Sequence, residues 1–240
     1  MSSKSKIEWT GKTWNCITGC DKVSAGCKYC YAESMSKRLK AMGQPRYSNG
    51  FQLTLHEDKI EMPLRWTKPW LVFVNSMSDM FHKDVPLDFL QKMFEVMNRA
   101  DRHVFQCLTK RSERMMKLSS QLPWADHIWT GVSVERNDVC FRVDHLRQAD
   151  VKLRFLSIEP LLGPLSDLDL TNIDWVIVGA ESGPKARPME LDWVRDIRDQ
   201  CIEKEIPFFF KQKIDGGKKV SLPELDGRVW KQMPENAAEA

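Results

Sequence analysis

The chain has 240 residues, 42% of them hydrophobic, and 36 basic against 33 acidic side chains give a net charge of +3. This apolar fraction supports a full core and excludes a disordered chain. The length suits one barrel-sized domain or two small domains. Because the charges nearly balance, composition alone does not indicate a nucleic-acid binder, although local patches could still bind anions.

Nothing in the sequence predicts a membrane or secreted protein. No stretch approaches the ~18 uninterrupted apolar residues that a membrane helix needs. The opening segment, residues 1–6, is polar and lacks the apolar centre of a secretory signal. We therefore expect a cytoplasmic protein without membrane contact.

Short apolar runs alternate with amphipathic segments along the chain. Runs of four to eight mostly apolar residues predict buried strands, and apolar residues at helical spacing predict helices. The predicted strands are 71–75, 103–108, 127–134, 153–158, 175–178 and 207–210, with another around Trp14, and the predicted helices are 87–100, 112–122, 137–148 and 191–205. This alternation predicts right-handed βαβ units and a largely parallel sheet covered on both faces.

A polar side chain stands where each predicted strand ends. These residues are Asn75, Lys110, Glu135, Glu159, Glu181 and Lys211. In parallel α/β folds the ligand binds at the carboxyl ends of the strands, so the set predicts a site at that edge. The alternative for any one of them is a position where the chain simply meets water.

Seven cysteines are distributed unevenly. Four fall within fifteen residues, at Cys16, Cys20, Cys27 and Cys30, and three are isolated, at Cys107, Cys140 and Cys201. The odd number argues against a disulfide framework. The isolated cysteines lie in apolar or helical patterns and are expected to be small buried side chains.

The spacing Cys20-x6-Cys27-x2-Cys30 predicts a metal or iron–sulfur site, because thiolates select zinc, copper(I) or iron–sulfur. Three thiolates on a four-iron cluster leave one iron open, whereas a closed zinc site needs four ligands. Cys16 could be that fourth ligand, in a zinc-stabilised, non-catalytic nucleic-acid-binding module. A redox pair of Cys27 and Cys30 is a third possibility, but it leaves Cys20 unexplained.

The segment Gly-Cys-Lys-Tyr-Cys-Tyr at 26–31 resembles the cluster loop of radical S-adenosylmethionine enzymes, which carry an aromatic residue before the last cysteine. Their usual spacing is Cys-x3-Cys-x2-Cys, so the six-residue gap here is a departure. Blocks spread over residues 7–213 look like the signatures of a phage- and bacteria-encoded radical S-adenosylmethionine-like family with this longer loop: Ile7-Glu-Trp-Thr, Thr13-Trp-Asn, Asn75-Ser-Met-Ser-Asp-Met-Phe81, Leu108-Thr-Lys-Arg111, Gly131-Val-Ser-Val-Glu135, Leu156-Ser-Ile-Glu-Pro-Leu161, Val178-Gly-Ala-Glu-Ser-Gly183 and Phe210-Lys-Gln212. That family carries proline where this chain has Cys16, so Cys16 is not expected to be a family ligand.

The resemblance implies a single partial (β/α)6 barrel over residues 1–233, of the TIM-like radical S-adenosylmethionine type, with a frayed tail at 234–240. It implies a [4Fe–4S] cluster held by Cys20, Cys27 and Cys30, whose open iron chelates S-adenosylmethionine. One electron then cleaves a carbon–sulfur bond, and the resulting 5′-deoxyadenosyl radical abstracts hydrogen from a substrate. A reducing donor such as flavodoxin or ferredoxin and a bacterial or phage-infected host cytoplasm follow from the same resemblance.

The resemblance also assigns residues to S-adenosylmethionine. Tyr29 is expected near the adenine, Asn75, Ser76 and Asp79 at the methionine amino group, Ser133 and Glu135 at the ribose, Arg136 at the methionine carboxylate, and Gly179 and Glu181 along the adenine. Core packing of Tyr29, helix capping by Ser78 or Asp79 and a surface position for Arg136 would equally explain these residue types.

The residues left for a substrate are Lys110, Arg111, Glu159, Lys211 and Gln212, with Glu181 as a further candidate. Cations at the mouth, with Arg187 and Lys213 added, beside Trp9, Trp14 and Phe81 suit a base plus phosphate. We therefore expect a nucleotide or nucleic-acid base that is modified, rearranged or repaired, for instance in phage thymine hypermodification. Whether the enzyme is an isomerase, a lyase or a base-modifying enzyme stays open, and the cations could serve S-adenosylmethionine alone.

Overall fold

The computed structural model describes residue 5 and residues 7–235. Its strands are β1 (Lys12–Trp14), β2 (Ile17–Thr18), β3 (Thr54–Leu55), β4 (Leu71–Val74), β5 (Val104–Thr109), β6 (Ile128–Ser133), β7 (Leu153–Ile158), β8 (Trp175–Gly179), β9 (Phe208–Asp215), β10 (Lys218–Ser221), β11 (Glu224–Leu225) and β12 (Arg228–Val229). The α-helices are α1 (Tyr31–Ala41), α2 (Leu87–Arg99), α3 (Ser112–Leu118), α4 (Phe141–Gln148) and α5 (Leu191–Glu203).

One eight-stranded sheet organises the molecule, in the order β1-β4-β5-β6-β7-β8-β9-β10. Neighbours from β1 to β9 run parallel, and β10 returns antiparallel along β9. The sheet curls into a half-barrel whose edge strands, β1 and β10, do not pair with each other. This confirms the predicted α/β fold, a single-domain partial barrel. The parallel order brings the carboxyl ends of seven strands to one edge.

The predicted strands and helices are present with small shifts in their bounds. The predicted helix 112–122 is α3 followed by a 3₁₀ turn at Ser119–Gln121, and 137–148 is a 3₁₀ turn at Asn137–Val139 followed by α4. The last predicted strand is longer than expected, because β9 runs on to Asp215 and turns back as β10. Helix α1 and the short pair β2–β3 were not predicted.

The sheet has an apolar core on each face. The larger core packs against the helices and includes Cys107, Cys140 and Cys201, which are buried as predicted. The opposite face carries the aromatic residues Trp9, Trp129, Phe155, Trp175 and Phe209. A Cβ at Gly131 would lie 2.6 Å from the ring of Phe155, so the glycine lets this ring lie flat on β6.

The two ends of the chain concern the predicted polar opening segment and the predicted frayed tail. Residues 1–4 and 6 of the polar opening and residues 236–240 of the expected tail lie outside the described residues. Pro234, at the start of that tail, is buried against the domain. None of the described helices combines the length and apolarity needed to cross a bilayer.

Candidate functional site

A cavity of about 460 Å³ lies at the carboxyl edge of the parallel strands, within the range usual for small-molecule sites. Polar residues at or just beyond strand ends line it, namely Asn75, Lys110, Ser133, Glu159 and Glu181, and Lys211 joins them from within β9. Five of these belong to the six strand-end residues that the sequence singled out. Ser76, Asp79, Arg111 and Gln212 line the same cavity, and Trp9 and Phe73 supply apolar wall.

Three cysteines reach this cavity and one does not. Cys20, Cys27 and Cys30 are free, partly exposed thiols that line it. Cys16 is fully buried in the larger core, with its Sγ 3.8 Å from the side-chain oxygen of Asn75. Burial raises the pKa of the Cys16 thiol well above its usual range. The four-thiolate zinc set is therefore not brought together.

The spacing of potential ligand atoms also disfavours a single ion on the cysteines. Within the described part of the chain, the group of three His, Cys, Asp or Glu ligand atoms lying within 4.8 Å of one another is Asp21, His82 and Asp84. His82 is engaged at both nitrogens, since Nδ1 faces the Asp84 amide at 3.2 Å and Nε2 faces Asp21 at 3.0 Å. The three Sγ atoms of Cys20, Cys27 and Cys30 do not all lie within 4.8 Å of one another, so they do not form a ready-made site for a single ion.

Arg111 links Cys20 to β5 and β4. Its guanidinium donates to Cys20 Sγ at 3.3 Å, to Asp79 at 3.4 Å and to the carbonyl of Asp21 at 3.3 Å. Burial raises the pKa of Cys20 to about 11, and the Asp79 charge acts in the same direction while Arg111 opposes both. Bound iron would favour the thiolate and strengthen the Arg111 contact.

The carboxylate of Asp79 makes more hydrogen bonds within the protein than the sequence analysis expected. Its oxygens accept hydrogen bonds from Thr109 Oγ1 at 2.7 Å and from the amides of Phe81 and Lys110 at 3.0 Å each, besides Arg111. Because its acceptor sites are occupied, Asp79 orders the loop after β5 rather than offering a free carboxylate to an amino group.

Glu135 anchors the cysteine loop, residues 20–30, through hydrogen bonds. It is almost fully buried, pairs with Arg142 at 2.9 Å, and accepts hydrogen bonds from the Gly26 amide at 3.1 Å and from the Ser24 hydroxyl. Burial alone would raise the pKa of Glu135, but Lys110, Arg142 and these hydrogen bonds lower it on balance. This carboxylate faces the loop and is not among the residues that line the cavity, whereas the sequence placed it at a ribose.

The ion pair of Glu181 and Arg187 contacts the same loop. Glu181 accepts from Arg187 Nε at 2.8 Å and from its amide at 3.0 Å. The Arg187 guanidinium also donates to the Ala25 carbonyl at 3.0 Å and lies 5.6 Å from the Tyr29 ring centroid. Two carboxylate–arginine pairs therefore hold the loop in place. The sequence analysis did not identify Arg142, because no feature of its predicted helix distinguishes this arginine from an ordinary surface residue.

Four buried polar atoms of cavity-lining residues lack hydrogen-bond partners among the described residues. They are Glu8 Oε2, Trp9 Nε1, Asn75 Nδ2 and Gln212 Oε1. Asn75 has φ 57°, its oxygen accepts from the Ile17 amide at 3.2 Å, and this leaves its NH₂ group unpaired. Buried polar atoms without partners are rare in folded proteins, and four of them belong to residues that line this one cavity.

Glu159 and Lys211 form an ion pair at 2.9 Å on the cavity wall. Gly179 lies behind this pair and not on the cavity surface. A Cβ there would lie 2.5 Å from Glu159 Oε1, so the glycine makes room for the carboxylate. The glycine thus packs against Glu159, and it is not among the residues that line the cavity where an adenine was expected.

Four other predicted residues lie away from the cavity: Arg136, Trp14, Phe81 and Lys213, of which Lys213 pairs with Asp215 at 3.5 Å. Arg136 is exposed and pairs with Asp138 at 2.8 Å, so its expected contact with a carboxylate ligand is not seen. Trp14 and Phe81 are buried in the larger core, because the Trp14 indole donates to the Lys59 carbonyl and Phe81 packs inward. The cavity aromatics are instead Trp9, Tyr29, Tyr31, Phe51 and Phe73. Tyr31 had a signal in the sequence, since it directly follows the last clustered cysteine.

The fold and the site define an α/β half-barrel protein. A loop with three cysteines, held by two ion pairs, borders a cavity at the carboxyl ends of the parallel strands. Residues 4–234 match the family described as "Protein of unknown function (DUF5131)", and the chain belongs to that family. A comparison with curated proteins finds no match.

Two solved structures of spore photoproduct lyase share the fold. One, complexed with dinucleoside spore photoproduct, superposes with a TM-score of 0.52 at 14% identity, covering 92% of this chain and 71% of that chain. The other, a point mutant, has a TM-score of 0.51 with the same identity and coverage. At this identity the likeness establishes a shared partial-barrel fold.

Proposed function

We propose that this protein is a radical S-adenosylmethionine enzyme whose [4Fe–4S] cluster is bound by Cys20, Cys27 and Cys30. One observation carries the proposal: three free thiols line a single cavity at the carboxyl edge of a half-barrel. The shared fold with spore photoproduct lyase supports it. When bound, cluster and S-adenosylmethionine supply one-electron cleavage of a carbon–sulfur bond and abstraction of hydrogen from a substrate.

The chain's own residues would position these cofactors and exclude water. Glu135 and Arg187 fix the loop through Gly26 and Ala25, which flank the cysteines. Asn75 and Ser133 line the cavity at the strand ends and would offer polar contacts to S-adenosylmethionine. The apolar wall limits the entry of water, which would otherwise compete for reactive groups.

For the substrate we propose a nucleotide or a nucleic-acid base. The spore photoproduct lyase complex holds a dinucleoside, which supports a ligand of this class for the shared fold. In this chain Lys110, Arg111 and Lys211 face the cavity beside Trp9 and Tyr31, a combination suited to phosphate and base. Gln212 and the Glu159–Lys211 pair would read the polar edge of a base.

The reaction would be a modification, rearrangement or repair, with thymine hypermodification as one form. Seven free thiols and a reducible cluster suit a reducing compartment, so we place the protein in the cytoplasm. A flavodoxin or ferredoxin would supply the electron.

The direct test is anaerobic incubation of the reconstituted protein with S-adenosylmethionine and dithionite, followed by measurement of 5′-deoxyadenosine. We expect its formation by wild type and its loss in Cys30→Ala, with Cys140→Ala as a cysteine control outside the cavity. Thymidine-deuterated oligonucleotides and deuterated free nucleotides, assayed separately, would identify the substrate by deuterium transfer into 5′-deoxyadenosine. Iron-loaded wild type that leaves S-adenosylmethionine intact would disprove the proposal.

A further inference from the structure

Helix α1 buries few of its side chains, and neither of the two is a large apolar one. It buries only Ala32 and Ser36 among its 11 residues, whereas α2 buries six of 13. Tyr31, Met35, Arg38 and Met42 follow a spacing of four, three and four residues, which places them on one stripe of the helix and its first following residue. We call this stripe the α1 face.

The α1 face is apolar where solvent would favour polar side chains. Seven large hydrophobic side chains are exposed in the described part of the chain, and four of them fall within residues 23–42. Met35 is 40% exposed and Met42 61%, whereas Tyr31 at 49% and Val23 at 46% lie where this face meets the cavity, which both of them line. Such a concentration of exposed apolar surface marks an interaction site more often than an ordinary surface.

Positive charge is concentrated in the same segment. Residues 20–50 hold six basic and two acidic side chains, an excess larger than the net +3 of the whole chain. Lys22 and Lys37 both pair with Glu33, at 3.2 and 2.7 Å, and Lys22 also donates to the Lys28 carbonyl at 3.4 Å. These contacts join the cysteine loop and α1 into one basic surface.

This surface lies beside the proposed cluster. Cys30 immediately precedes α1, and a helix rises about 1.5 Å per residue, so Arg38 lies roughly 12 Å along the axis from that cysteine. Tyr31, at the start of the α1 face, also lines the cavity.

We infer that the α1 face is the docking site of an acidic one-electron carrier protein. The inference rests on the proposed function, since it needs a cluster to reduce. The composition favours a protein over a nucleic acid. Tyr, Met and Arg are enriched in protein interfaces, whereas a phosphate backbone offers little apolar surface for exposed methionines to cover. One helix face also suits the small interfaces of transient redox complexes.

The experiment measures anaerobic reduction of the reconstituted cluster by a reduced acidic flavodoxin, used as the probe, in a stopped-flow instrument. One variant combines Lys37→Gln with Arg38→Gln, and a second combines Met35→Ala with Met42→Ala. The matched charge control combines Lys152→Gln with Lys204→Gln, two exposed lysines that precede β7 and β9 at the opposite edge of the sheet. Dithionite reduction of each variant verifies an intact cluster.

We expect the charge variant to react about tenfold more slowly at low ionic strength, with a difference that shrinks as salt is added. The methionine variant should be slower by a salt-independent factor, because it loses apolar contact. Dithionite reduction and the control should match wild type.

Unchanged flavodoxin rates in both variants, with a four-iron cluster present, would overturn the inference alone. Loss of oligonucleotide binding with normal flavodoxin rates would overturn it in favour of a nucleic-acid surface. Wild type that holds no reducible cluster would overturn the proposed function and the inference together.

Discussion

Two carboxylates that the sequence analysis placed at S-adenosylmethionine instead hold the loop that carries the cysteines. Glu135 and Glu181 each pair with an arginine and each pair reaches a backbone group of residues 24–26. A buried carboxylate needs a partner, and its remaining lone pairs need donors. The loop supplies those donors to Glu135, whereas Arg187 supplies them to Glu181 and also donates to the loop carbonyl of Ala25. The carboxylates therefore position the proposed ligands without contacting them.

Replacing Glu135 should separate this positioning role from general folding. Glu135→Gln leaves Arg142 as an unpaired buried charge, so we expect the free energy of unfolding to fall by about 3 kcal/mol and cluster retention after reconstitution to fall with it. Chemical denaturation and iron content measure the two effects.

Arg136→Gln is the matched control, because Arg136 is the adjacent residue and pairs only at the surface. It should leave both stability and iron content unchanged. Equal losses in the two variants would contradict the loop-anchoring role of Glu135.

Arg111 should tune the proposed cluster through Cys20. Hydrogen bonds and positive charge at a cluster thiolate stabilise the reduced state, so Arg111→Met should make the midpoint potential more negative. Arg111→Lys retains the charge and should shift it less. A redox titration followed by electron paramagnetic resonance measures the potential, and an unchanged value in Arg111→Met would exclude this contact.

At the scale of elements, the sheet was predictable and its attachments were not. Strands such as 153–158 and 175–178 are apolar runs, and β7 and β8 occupy the same ranges within a residue. Helix α1 was missed because it buries only two small side chains and most of its residues are polar or charged. The strand ends also predicted the position of the cavity. The direction of a side chain, in contrast, depends on packing: Arg136 and Arg142 both lie near Glu135 in sequence, but only Arg142 turns inward to pair with it, and Arg136 pairs with Asp138 at the surface.

The contact between the first described segment and β10 spans the open side of the half-barrel. Glu8 accepts from Lys219 at 2.8 Å and from Ser221 at 2.5 Å. Burial alone would raise the pKa of Glu8, but these hydrogen bonds outweigh it and lower the pKa below 4.5. Its stabilising contribution is therefore complete above pH 4.5 and is lost as the pH falls through the lowered value.

Hydrogen exchange of wild type and Glu8→Gln tests this contact. We expect faster amide exchange in β10 of the variant at neutral pH, and equal exchange in the two proteins once Glu8 is protonated. Equal exchange at neutral pH would show that Glu8 does not hold this edge.

On the scale of the whole molecule, an open half-barrel gathers strand ends, a cysteine loop and an exposed basic helix at one side. The arrangement places a cavity, three thiols and the α1 face next to one another. The central claim is that three of the clustered cysteines, and not four, hold one iron–sulfur cluster.

Iron, sulfide and zinc content per chain after anaerobic reconstitution tests that claim most directly. We predict about four irons and four sulfides in wild type and in Cys16→Ala, and a loss of the cluster in Cys20→Ala, Cys27→Ala and Cys30→Ala. A single tightly bound zinc in wild type that disappears in Cys16→Ala would contradict the account.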